Sequence, residues 1–184
     1  VACGFVFSAS AADRFVDDAG DDGTLEIPND CTNEVTKCAT IAHALEQAQS
    51  GDSVFIDSGT FSSAIGGDAM LVKNGVQISG AGQQNTILNV TGSASGALVY
   101  GPDNTMAISL EGLKVSYPSG AAVGMWFGDV PSAVTVDDVF LTGGSGLNVA
   151  SNAQFVLTLT NSTLSDCTGA GFLLAHTGAE DISL

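Results

Sequence analysis

Ile108-Ser-Leu-Glu-Gly-Leu-Lys-Val115, Val134-Thr-Val-Asp-Asp-Val-Phe-Leu141 and Leu157-Thr-Leu-Thr-Asn-Ser-Thr-Leu164 are three versions of one pattern. Each opens with an apolar-polar-apolar triplet, passes through a polar pair and resumes. A strand that alternates in this way buries one face only. The pairs Glu111-Gly112, Asp137-Asp138 and Thr160-Asn161 fall where a bend is needed, and Gly, Asp and Asn tolerate left-handed backbone geometry. Each octad therefore predicts two short strands meeting at a corner.

Working outward, the opening triplet recurs as Val54-Phe-Ile56, Val76-Gln-Ile78 and Ile182-Ser-Leu184, so that six copies start between 22 and 32 residues apart. Half-buried strands at a near-constant period imply that each coil covers the open core of the one before. A third strand is expected in each coil, at Leu98-Val-Tyr100, Val123-Gly-Met-Trp-Phe127, Leu147-Asn-Val149 and Phe172-Leu-Leu174. The longest coil carries insertions at Gln83-Gln-Asn85 and Gly92-Ser-Ala-Ser-Gly96, and such bulges line the binding side of solenoids. In this reading Val76, Ile108, Val134 and Leu157 form one interior file.

Composition agrees. The 184 residues include 23 glycines and 4 prolines, which suits many tight turns. Four basic residues (Arg14, Lys37, Lys73, Lys114) stand against twenty acidic ones, giving a net charge of −16. That balance excludes nucleic acid and anionic lipid surfaces as partners. It reads as a hydrated carboxylate surface.

Residues 1–12 are apolar and then small, ending in Ala9-Ser10-Ala11, and read as the remnant of a secretory signal peptide. The alternative is a lipoprotein box with Cys3 carrying the lipid. Either way a secreted or cell-surface location is expected, and no later stretch is long and apolar enough to span a bilayer. Cys31 and Cys38 bracket a polar loop and read as a small disulfide in an oxidising compartment. The competing reading, half of a metal site, lacks a second cysteine pair and a histidine at ligand spacing. Cys167 is left as a small packed residue.

The one helix is expected over residues 40–49. Ile41, Ala44, Leu45 and Ala48 make a single apolar stripe, and Gly51 closes the end. A one-striped helix covers one surface, and the open first coil of a solenoid supplies it. His43 is expected on the exposed side of this helix, without a catalytic task. The domain reading is residues 13–50 as an N-terminal cap and 51–184 as coils, cut short in the last one.

Four segments follow in order: Arg14-Phe-Val-Asp-Asp-Ala-Gly-Asp-Asp-Gly-Thr24, Cys38-Ala-Thr-Ile-Ala-His-Ala-Leu45, Gly51-Asp-Ser-Val-Phe-Ile-Asp-Ser-Gly-Thr-Phe61 and Gly75-Val-Gln-Ile-Ser-Gly-Ala-Gly82. Over residues 14 to 90 the chain resembles the opening of right-handed parallel β-helix proteins of the pectin-lyase-like superfamily. The resemblance implies an all-β, right-handed parallel β-helix with one N-terminal capping α-helix. It leaves function open, because that superfamily holds polysaccharide lyases, pectin-type glycoside hydrolases, tailspikes and adhesins.

Stacking places Glu111 beside Asp137, and two neighbouring carboxylates are the equipment for glycosidic-bond cleavage, or for calcium together with Asp138. Glu111, Asp137 and Asp138 are thus the catalytic candidates. The bland reading is an acidic column in solvent. The superfamily's lyases also use a cationic base, and its pectin hydrolases carry Asn-Thr-Asp, Asp-Asp, Gly-His-Gly and Arg-Ile-Lys series. Here Lys114 stands without a basic cluster and the series is missing. Asp17, Asp21 and Asp22 are metal candidates in an Asp-rich turn that lacks the spacing of a calcium loop. Trp126, where strict alternation breaks, is the candidate stacking platform for a sugar. No cofactor is required, and calcium is the cation considered.

The function expected is a secreted or surface protein that binds glycans, adhesin-like, without catalysis. The alternative is the N-terminal part of a polysaccharide lyase or glycoside hydrolase acting on an acidic polysaccharide. Ice binding is a third idea, but it needs a regular Thr-x-Thr ladder, and only Thr158-Leu-Thr160 qualifies.

Overall fold

The computed structural model describes residues 10–24, 27–64, 70–91, 98–100, 106–117, 125–127, 133–144, 146–151, 155–168, 171–176 and 180–183. Among these residues it is mostly β with one helix. The elements in chain order are β1 (Asp13–Val16), α1 (Ile41–Gln47), β2 (Ser53–Ile56), β3 (Gly59–Ala64), β4 (Met70–Val72), β5 (Gln77–Gly80), β6 (Thr86–Thr91) and β7 (Leu98–Tyr100). They continue as β8 (Ile108–Ser116), β9 (Met125–Phe127), β10 (Ala133–Thr142), β11 (Gly146–Ser151), β12 (Phe155–Thr160), β13 (Thr163–Ser165), β14 (Gly171–His176) and β15 (Glu180–Ser183).

Every pairing between these strands is parallel. The larger sheet runs β1-β2-β5-β8-β10-β12-β15, with a branch in which β3, β6, β13 and the second halves of β8 and β10 pair with one another. The smaller sheet runs β4-β7-β9-β11-β14. The chain visits main path, branch and smaller sheet in that sequence, then returns to the main path one strand further on. Parallel neighbours need a long crossover, and here the other two strands supply it in place of a helix. The third strands expected at residues 98–100, 125–127, 147–149 and 172–174 are the strands of the smaller sheet. Val123 and Gly124, like residues 92–96, lie outside the described residues.

The interior file is present. Ile108 faces Val134, which faces Leu157, and Ile78 faces Leu110, which places Val76 level with Ile108. Val76, Ile108, Val134 and Leu157 are each no more than 1 % exposed. On the branch, Phe61, Leu88, Val115, Leu141 and Leu164 form a second file. One alignment needs correction: Val54 faces Ile78, not Val76. The first strand is thus shifted by two residues against the reading from the triplets. A two-residue slip preserves the face of every side chain, so hydrophobic pattern alone does not detect it.

The corners are built as the polar pairs suggested. Gly112, Asp138 and Asn161 adopt φ of 66°, 51° and 50°. At Gly80 the neighbouring turn comes so close that a Cβ would sit 2.3 Å from Gly112 O, which is why two glycines meet there.

Helix α1 starts where expected, with Thr40 as N-cap accepting from the His43 amide, but it ends earlier, with Ala48 already extended. The cause is local. Asp52 accepts the Gln49 amide (2.8 Å), which pulls that residue out of the helix. Lys73 Nζ takes the last carbonyls, Glu46 O (2.8 Å) and Ala48 O (2.6 Å). The buried stripe of Ile41, Ala44 and Leu45 packs the helix against β1, β2 and β4. β1 and β4 are the terminal strands of their sheets, so the helix sits at one end of both.

Candidate functional site

The larger sheet turns one side chain in two away from the core, and parallel register lines these residues up. Phe15 faces Phe55, Phe55 faces Ser79, Ser79 faces Glu111, Glu111 faces Asp137, and Asp137 faces Thr160. All are partly or fully exposed. At one end the rings of Phe15 and Phe55 stack with centroids 5.8 Å apart and planes at 22°. Phe55 keeps 37 % of its surface in solvent. From there the column becomes polar. Ser79 Oγ donates to Glu111 Oε1 (2.9 Å), and Thr160 Oγ1 and Asn161 Nδ2 donate to Asp137 Oδ1 (2.6 and 2.9 Å).

Glu111 and Asp137 are therefore neighbours, as the stacking of octads required. Hydrogen bonds from Thr160 and Asn161 outweigh partial burial and hold the Asp137 carboxyl below its ordinary range. A carboxylate so held stays ionised and does not serve as a proton donor near neutrality. Asp138 turns away from this pair. Its Oδ1 accepts from Gln83 Nε2 (2.6 Å) and its Oδ2 from the Gln83 amide (3.2 Å), so it anchors the inserted loop.

Each of the four basic side chains is engaged within the fold. Arg14, 6 % exposed, donates Nε to Asp52 Oδ2 at 2.8 Å, while Asp52 is 1 % exposed. Lys37 pairs with Asp57. Lys73 caps the helix end, and the Nζ of Lys114 lies 5.1 Å from the centre of the Phe140 ring. None of these placements sets a cation against Glu111 or Asp137.

The candidate metal residues are not drawn together. Asp17 accepts the Ala19 amide (3.0 Å) and Asp21 the Gly23 amide (2.9 Å), each closing its own turn. Asp22 accepts from the amides of Ala39 and Thr40 and from Thr40 Oγ1 (2.7, 3.1 and 2.8 Å), holding the N-cap residue of α1. Cys31 and Cys38 form a disulfide with both residues fully buried. Cys167 is half-buried, and burial together with Asp166 raises its thiol pKa.

His43 departs from expectation. It is half-buried, and its Nε2 lies 2.8 Å from Asn29 O, so this nitrogen carries the proton. The helix turns it toward the disulfide loop rather than to open water. Asn29 organises that loop: its side-chain amide donates to Asp21 O and Thr36 O (2.7 and 2.9 Å), and its Oδ1 accepts the Cys31 amide. Beside it a cleft of about 420 Å³ is rimmed by Ile27 and Val35, which are 78 % and 90 % exposed. Trp126 lies on β9 in register with Val99 and Asn148, and its side chain is outside the described ones.

Sequence reasoning missed the Phe15–Phe55 pair, although the signal was there. Both phenylalanines sit between residues that face inward, in Arg14-Phe-Val16 and Val54-Phe-Ile56, so alternation alone directs them outward. The Arg14–Asp52 pair carried no local signal, since 38 residues separate its members. The chain matches no protein-family model, no curated protein and no solved structure.

Proposed function

We propose that the chain is a right-handed parallel β-helix of the pectin-lyase-like kind and acts, secreted or at the cell surface, as a glycan-binding, adhesin-like protein without catalysis by these residues. The observation that carries this reading is the outward column that begins with the stacked Phe15 and Phe55 and continues through Ser79, Glu111, Asp137 and Thr160. Sugar rings offer apolar C–H faces that stack on aromatics and hydroxyls that pair with carboxylates and side-chain hydroxyls. With neighbouring strands about 4.8 Å apart, the six positions span roughly 24 Å, an extended site suited to a chain-like ligand.

Glycan-array screening of the purified protein tests this reading. Phe55→Ala is expected to weaken the strongest signal by about 3- to 10-fold, on the order of 1 kcal/mol of stacking. Trp126→Ala tests the second platform. Chelation of calcium is expected to leave binding unchanged, since no step here uses it. A blank array sinks the reading.

The alternative is a polysaccharide lyase or glycoside hydrolase acting on an acidic polysaccharide, favoured by the adjacency of Glu111 and Asp137. Unsaturated-uronate absorbance and reducing ends on pectin and alginate test it. The proposal expects no turnover, and turnover abolished by Glu111→Gln or Asp137→Asn would decide for the enzyme.

A further inference from the structure

A second centre lies under helix α1, apart from the outward column. Among the described residues one group of three metal-ligating side chains converges: Cys31, Cys38 and His43, with one ligand atom of each within 4.8 Å of the other two. We propose that these three residues form a zinc site when the Cys31–Cys38 disulfide is reduced.

The backbone that presents the sulfurs is held by hydrogen bonds as well as by the bond between them. Phe15 N donates to Cys31 O (2.8 Å), Cys38 N to Phe15 O (2.9 Å) and Asp17 N to Cys38 O (2.9 Å), so both cysteines are laced to β1. Their Cα atoms are 5.2 Å apart. His43 is fixed separately, by the first turn of α1 and by its contact with Asn29 O. That carbonyl oxygen lies 3.8 and 3.7 Å from the two sulfurs and 2.8 Å from His43 Nε2. It borders all three ligand atoms and is placed to serve as the fourth ligand. Two thiolates, an imidazole and an oxygen make a small tetrahedral set, which zinc prefers and which calcium and magnesium do not. Both cysteines are fully buried, which gives a closed site rather than an open catalytic one.

The chemistry balances with a thiol reductant. The S–S bond breaks and takes up two electrons and two protons, while two thiols of the reductant join in their own disulfide. Zinc then displaces the two cysteine protons to solvent, since thiolate is the ligand form, and the His43 proton passes from Nε2 to Nδ1, which frees the Nε2 lone pair for the ion. Oxidised, the loop is closed covalently. Reduced, it is closed by the ion, and the binding free energy replaces cross-linking as a source of stability.

The test uses the full chain with Cys3→Ser and Cys167→Ser, so that only one pair of thiols remains. After reduction by a phosphine and its removal under argon, cobalt(II) serves as a spectroscopic stand-in for zinc. The expected result is one ion per chain, tetrahedral ligand-field bands and thiolate-to-cobalt charge transfer, all absent from the oxidised protein and displaced by zinc. His43→Ala is expected to weaken uptake by at least about 100-fold, as loss of a direct ligand should exceed loss of an outer-shell partner. Circular dichroism follows the fold, and zinc is expected to raise the melting temperature that reduction lowers. No cobalt spectrum, uptake indifferent to His43→Ala, or a reduced chain that zinc fails to stabilise would each overturn the proposal.

Discussion

Replacing Asp52 by alanine should be among the most damaging single changes in the chain. The carboxylate is 1 % exposed and accepts from three donors, the amides of Ala12 and Gln49 and Arg14 Nε (all 2.8 Å), while Arg14 Nη2 completes the ion pair at 2.7 Å. Arg14 is itself 6 % exposed, so Asp52→Ala strands a buried guanidinium whose remaining hydrogen bond among the described residues is to the Asp30 carbonyl. Removing one partner of a buried ion pair costs about 3–5 kcal/mol. For a chain of this length each kcal/mol lowers the melting temperature by about 2–4 °C, so a fall of roughly 6–20 °C is expected in a thermal melt followed by circular dichroism. Arg14→Met should cost a similar amount by stranding Asp52, and the double variant should be less damaged than the sum by at least about 2 kcal/mol. pH gives a second signature. Burial raises the Asp52 pKa, but the amides of Gln49 and Ala12 and the Arg14 side chain more than offset it, and the net shift is below the ordinary 3.8. A carboxyl depressed on folding stabilises above its unfolded value, and that contribution is lost as pH falls through 3.8 toward the folded value. Asp52→Asn should flatten that acid limb. A loss below about 1 kcal/mol for Asp52→Ala, or strict additivity of the two changes, would refute the reasoning.

Two further outcomes are expected. Lys73→Met should lower the urea midpoint by the equivalent of about 1 kcal/mol, because Glu46 O and Ala48 O lose a charged donor at the helix end; a midpoint equal to wild type counts against that cap. Gly80→Ala drives a Cβ to 2.3 Å from Gly112 O and should cost about 1–3 kcal/mol by the same assay, whereas an unchanged midpoint would mean that the two turns are not in contact.

Strand positions and corners were legible because they depend on local chemistry. Alternation fixed which face of β8, β10 and β12 is buried, and Gly112, Asp138 and Asn161 marked the left-handed positions. Register was legible only modulo two, which is why Val54 was set beside Val76 instead of Ile78. The limits of α1 were misjudged at the C-terminal side because Asp52 and Lys73, both outside the helix, decide where it stops. At the candidate site the adjacency of Glu111 and Asp137 could be read from the octads, but the role of Asp138 could not, since its partner Gln83 lies 55 residues away. His43 was placed in water because helical periodicity says nothing of the disulfide loop that lies over its face.

The disposition of the four cations has a consequence for the response to electrolyte. Positive charge is spent inside contacts or along a ring face, and the acidic excess leaves a net charge of −16 with little to neutralise it. Dissolved ions reach exterior repulsion readily and interior attraction poorly, because screening acts over about 8–10 Å of water and much less through protein. Brine therefore relieves the strain of crowded like charges while leaving the Arg14–Asp52 lock untouched, and the folded chain is held more firmly as ionic strength rises.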